Sequence, residues 1–165
     1  MRDKYYYLVS SLPFLEFGTK PPFSYSGFLK LCEGQLSEED LNSDTNLTLI
    51  EWKKFERNLK NELVKVRAEK RSVDAINFIQ GEHYPDPDTM HMAHWAINQD
   101  DILDTEASLD RFRWEKLEEL KKGHYFDIDI LIIYALQIKI LERWNIIDSQ
   151  DGVKILKELV DKESR

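Results

Sequence analysis

Between Asp127 and Ile147 the chain carries apolar side chains around most of a helical circumference, and no other run constrains the fold so tightly. A helix that is hydrophobic on all sides has to be enclosed by protein or by lipid. Lipid is the poorer match: the longest mostly apolar stretch, Ile128 to Leu141, is shorter than a spanning helix and carries Asp129 and Lys139. The remaining residues must therefore form the layer around a central buried helix.

Helical periodicity dominates that remainder, and alternation of the kind strands need is poor outside Tyr5–Leu8. A long helix is expected from Leu47 or Thr48 to Arg71, where Trp52, Phe55, Leu59, Leu63 and Val66 make a narrow apolar stripe. Ser24 or Ser26 would cap a short helix through Phe28, Leu29 and Cys32 that ends near Gly34. Ser37-Glu38-Glu39-Asp40-Leu41 reads as another N-terminal turn, with acids where the helix dipole favours them. Further helices are expected over Asp74–Gln80 closed by Gly81, from Asp88 as cap through Met92, Trp95 and Ile97, over Ser108–Lys122, and over Gln150–Val160. Asn42–Asn46 and Gly81–Pro87 read as loops.

The expectation is an all-α fold, a single helical domain over residues 1–165 with about six to seven helices. Residues 1–23 would be an N-terminal strap and 161–165 a frayed tail. The strap begins with Tyr5-Tyr6-Tyr7-Leu8-Val9, too apolar to leave in water. It does not read as a secretory leader: Ser10, Ser11 and Pro13 interrupt the apolar run, Asp3 offsets Arg2 and Lys4, and no small-residue cleavage site follows.

Charge narrows the function classes. A formal net charge of −8 argues against nucleic acid and anionic membrane as partners, since both need a basic surface. The single cysteine, Cys32, cannot form an internal disulfide and suits a reducing compartment and a small core position. There is no phosphate-cradling glycine loop, dinucleotide fingerprint or nucleophile elbow, so the chain is read as not an enzyme, with no cofactor and no metal. Trp95, Trp114 and Trp144 read as core or interface anchors.

The candidate binding residues lie on the long helix. At about 100° per residue, Lys53, Arg57, Lys60, Arg67 and Arg71 fall together roughly 120° from the apolar stripe, with Glu51, Glu62 and Glu69 on the other flank. Between Glu51 and Arg71 there are eight basic and four acidic residues, a local +4 against −12 elsewhere, and such a segregated field can steer a charged partner. The competing reading is a solvated face answered by Glu115, Glu118 and Glu119. A metal-assisted enzyme using His83, His91 and His94 with Glu82, Asp86 and Asp88 is a rival, although their spacing follows no recognised ligand pattern. His124 reads as a side chain near a helix C-terminus, where a protonated imidazole interacts well with the dipole.

Three strings carry a resemblance that spans nearly the whole chain. They are Tyr6-Tyr7-Leu8-Val9-Ser10-Ser11-Leu12-Pro13, then Trp52-Lys53-Lys54-Phe55-Glu56-Arg57-Asn58-Leu59 through Arg67-Ala68, then Gly123-His124-Tyr125-Phe126-Asp127-Ile128-Asp129 through Tyr134-Ala135-Leu136 to Leu141-Glu142-Arg143-Trp144. Together they resemble a family of uncharacterised bacterial proteins encoded among the subunits of V-type (vacuolar/archaeal-type) ATP synthases. The resemblance implies a non-catalytic accessory or connecting subunit, a counterpart of the helical C subunit (d in vacuolar pumps) that seats the central stalk on the membrane rotor ring. It implies other ATP synthase subunits as partners and a cytoplasmic location, peripheral at the inner face of the cell membrane. An assembly or regulatory factor that binds the complex transiently is the alternative. The C subunit is a funnel of three similar helical units, whereas this chain shows no internal repeat.

Overall fold

The computed structural model describes residues 4–163, with the side chains of 150–153 and 163 outside the description. Parts of the expected strap and tail, residues 1–3 and 164–165, thus lie outside the described residues. The protein is all-α: among the described residues there are eight helices and no strand. The chain divides into two compact units, one made of residues up to Ser43 with those from Lys116 onward, the other of Asp44–Glu115.

The first unit is organised on α7, Ile128–Ile147, which Asp127 caps by accepting a hydrogen bond from Ile130 N. Leu131, Ile133 and Ile138 are wholly enclosed, so the apolar circumference is spent as its sequence requires. The one polar group sunk among them, Gln137, donates from Nε2 to Glu118 Oε1 at 2.6 Å. α2, Tyr25–Cys32, and α3, Glu38–Leu41, pack on α7. Ser24 is the cap of α2, accepting from Gly27 N, and Ser37 forms a reciprocal capping box with Asp40 in α3. Phe28 and Cys32 are fully buried, and burial pushes the Cys32 thiol up to about 11.

The opening tyrosines are helical rather than extended, in α1, Tyr6–Ser11. That geometry points successive side chains in different directions: Tyr5, Leu8 and Leu15 are buried, whereas Tyr7 and Phe14 are exposed. Backbone contacts hold the segment, with Tyr5 N donating to Phe126 O and Tyr134 Oη donating to Pro13 O. α8 runs Gln150–Glu163 and packs on α7, three residues longer than the sequence suggests, so the expected frayed tail is helical as far as it is described.

The second unit is organised on α4, Leu47–Arg71, capped by Asn46 and closed by Ser72 in the left-handed conformation. Leu59, Leu63 and Val66 pack with Ala93 and Ala96 of α5, Pro87–Ile97, and with Leu109 of α6, Ile102–Leu120. Phe55 stacks at an angle between Trp52 and Phe112. Three expectations fail here. Asp86, not Asp88, caps α5, because Pro87 is preset for the first helical position and leaves Asp86 Oδ2 to accept from Thr89 N. α6 begins six residues before Ser108, where Asp101 accepts from Asp104 N and Thr105 Oγ1. Asp74–Gln80 is not a helix. There the Asp74 side chain takes Ile76 N, a local bond that competes with helix formation, and Gln80 gives both backbone groups to Asn61. The apolar residues of the segment, Ile76 and Phe78, are left exposed.

Candidate functional site

All five residues of the expected basic stripe, Lys53, Arg57, Lys60, Arg67 and Arg71, are exposed on one side of α4. Glu51, Lys54, Glu69 and Lys70 of the same helix are exposed as well, and the rest is largely covered. The apolar stripe faces the core of the unit, and the polar flank is covered too. Asn58, Asn61 and Glu62 are all buried.

Those three side chains fasten residues 80–84 to the helix. Asn61 donates from Nδ2 to Gln80 O at 2.9 Å and accepts Gln80 N on Oδ1 at 3.0 Å. Asn58 does the same for Tyr84, donating to its carbonyl at 2.7 Å and accepting its N–H at 3.3 Å. A primary amide presents one donor and one acceptor in the geometry of a peptide group, so each asparagine satisfies a loop residue as a neighbouring strand would. Glu62 lies 2.6 Å from His83 Nε2 and 3.3 Å from Lys65 Nζ, while Lys65 Nζ lies 2.6 Å from the same imidazole nitrogen. The expected grouping of Glu62 with exposed Glu51 and Glu69 is thereby corrected: a carboxylate is tolerated inside because an imidazole and an ammonium surround it. His83 Nδ1 is buried and finds no hydrogen-bond partner among the described residues.

Burial of these acids sharpens the field outside. Glu56 is taken up by Arg113, 2.6 Å from its Nε, so Glu51 and Glu69 are the acids α4 leaves exposed. On the basic side Lys53 pairs with Asp44 at 2.5 Å, and its ammonium holds the Asp44 carboxyl below the usual range. Lys54 lies over the Tyr84 ring at 4.3 Å. Arg57, Lys60, Arg67 and Arg71 form no ion pair with any described residue. Two of the three acids proposed to answer them are engaged elsewhere: Glu118 meets Gln137 and Lys121, and Glu119 meets Lys116.

A cleft of about 280 Å³ borders the stripe at its C-terminal end. Leu63, Ala96 and Leu109 line its floor, Ile97 and Ile102 its walls, and Arg67, Lys70 and Glu106 its polar part. Lys70 Nζ donates to Ile97 O at 3.3 Å, satisfying one of the carbonyls that the end of α5 leaves over.

The histidines divide. His91 and His94 are exposed on α5, His83 is engaged with Glu62, and they form no shared ligand set. The group with metal-ligand spacing is instead His124, Asp127 and Asp129, whose ligand atoms lie within 4.8 Å of one another. In it His124 Nδ1 is 2.7 Å from Asp127 Oδ2, an imidazole–carboxylate hydrogen bond at the turn that starts α7. His124 therefore sits at a helix beginning as well as after a helix end.

Residues 93–165 match the model of a family described as protein of unknown function (DUF2764). Comparison with curated proteins finds no match, and comparison with solved structures finds none either. Among the described residues no helix is long and apolar enough to cross a membrane.

Proposed function

We propose that this chain is a non-catalytic accessory or connecting subunit of a bacterial V-type ATP synthase, and that it grips a neighbouring subunit through the exposed basic sector of α4. The observation that carries the docking surface is the sector itself: Arg57, Lys60, Arg67 and Arg71 line one face with no ion pair to any described residue, while Glu56 and Glu62 of the same helix are folded away. Cations left in this arrangement contribute little to stability and are free to register an acidic surface. The assignment to the rotary machine rests on the resemblance of the opening, middle and late strings. Its mechanism is mechanical: an all-helical body held between the central stalk and the membrane ring transmits torque without chemistry. Because no threefold repeat is present, the chain acts as a single connecting piece and not as a three-part socket. It would then sit at the inner face of the cell membrane through its partner subunits alone.

Affinity purification of the tagged native protein tests this. Stalk or ring subunits retained in fixed ratio through washing are the expected outcome. Their loss on washing identifies a transient assembly factor, and a preparation holding no ATP synthase subunit overturns the assignment. Replacing Arg57, Lys60 and Arg67 together by Glu should reduce retention by about tenfold or more while the thermal midpoint stays within a few degrees.

A further inference from the structure

We infer that the cleft between the C-terminal half of α4, the end of α5 and the start of α6 receives one aliphatic side chain of an acidic partner segment, with carboxylates beside that side chain held by Arg67 and the neighbouring cations. The inference rests on the reading of α4 as a docking face and adds what the partner must present.

Size comes first. A space of about 280 Å³ lies below the roughly 300–1,000 Å³ typical of pockets for drug-sized ligands, and suits a side chain. Its floor is apolar: Leu63, Ala96 and Leu109 are buried, and Ile97 stands half-buried at the wall. Ile102, 44% exposed, is the largest apolar surface left open at the rim. Covering an apolar floor and an open isoleucine favours an aliphatic guest over water.

Charge fixes the rest. Arg67 enters the cleft from the basic stripe, Lys70 from the line of the apolar stripe, and Lys60 and Arg71 share the exposed sector with Arg67. Arg67 has no ion-pair partner among the described residues, and its planar fork matches a carboxylate in two-point contact. Glu106 also lines the cleft and sets a limit: a guest bearing acids on every side would meet it, so the carboxylates belong on the α4 side of the guest. A polyanion such as nucleic acid is a poor alternative, because it would extend past a segment of +4 onto a remainder carrying −12.

The test uses the full chain, isotopically labelled, and three fluorescent helical peptides as probes: one with a single Leu between glutamates, one with that Leu replaced by Ser, and one with its glutamates replaced by Lys. The first should bind with amide shifts at Leu63, Arg67, Ala96, Ile97 and Ile102, and the other two at least about tenfold more weakly. Ile102→Asp, at an exposed helix start, should weaken the first peptide similarly without lowering the thermal midpoint. Shifts spread along Lys53, Arg57 and Lys60 with no dependence on Leu would overturn the inference, as would absence of binding. Concentration-dependent self-association lost in Ile102→Asp would overturn it in favour of a second copy. The two readings separate cleanly: peptide binding at the cleft without retained ATP synthase subunits sinks the assignment alone. Retention unaffected by Ile102→Asp sinks the cleft alone.

Discussion

The two longest helices, α4 and α7, are covered over most of their surface by opposite means. α7 is apolar on nearly every side and is enclosed by whatever apolar surface its neighbours offer. α4 is mostly hydrophilic, yet it too is covered on two flanks: one by packing, the other by a loop tied down through Asn58, Asn61 and Glu62. Apolar enclosure is tolerant of exchange between similar shapes. Polar enclosure is directional, and fails as a whole when one partner is removed. A helix of the second kind is covered only in part, and what α4 leaves open includes the basic sector of Arg57, Lys60, Arg67 and Arg71.

Truncation inside α7 should produce the largest effect. Ile133→Ala removes a fully buried side chain and is expected to cost about 2–5 kcal/mol, read as a lower midpoint in denaturant with an unchanged slope. Asn61→Ala should cost less, about 1–3 kcal/mol, because it leaves two backbone groups of Gln80 without their partner. Its signature is local: amide exchange should accelerate through residues 74–84 while α7 stays protected. Equal acceleration in both would erase the contrast drawn between the helices.

The capping box of α3 gives a smaller and pH-dependent effect. Ser37→Ala should cost about 0.5–2 kcal/mol. Hydrogen bonds from the Ser37 backbone and hydroxyl hold the Asp40 carboxyl below its usual range. The folded state thus prefers the ionised form, so this contribution is complete above the unfolded value of about 3.9 and is lost as pH falls through the lower folded value. Acid titration of wild type against Ser37→Ala should show the gap between the two curves narrowing below about pH 4, with the part due to Ser37 Oγ accepting from Asp40 N remaining at all pH. Smallest of all, the triple reversal of Arg57, Lys60 and Arg67 to Glu should change stability by no more than about 0.5 kcal/mol. A large loss there would mean that the sector is structural.

What could be read from the chain follows the same division. The bounds of α4, the extent of α7, the Ser24 cap and the basic sector are all legible, because hydrophobic period, capping chemistry and charge are written residue by residue. The polar flank of α4 is not. Asn58, Asn61 and Glu62 look like solvent-facing residues at their helical angles, and only the return of residues 80–84, a tertiary event, makes them interior. The same event erased the helix expected over Asp74–Gln80. One signal was present: two asparagines three residues apart inside a long helix are poor helix formers, and they ask for a reason.

At Gly81, where φ is +62°, a methyl group added to the backbone would come within 3.3 Å of the Cδ and Nη1 of Arg57. The guanidinium therefore rests on bare main chain, and its aim is set by the one residue type that leaves room beneath it. Substituting alanine at Gly81 would strain the left-handed turn and displace a neighbouring charge without deleting it, a way to ask whether recognition by this protein depends on how many cations it shows or on where they point.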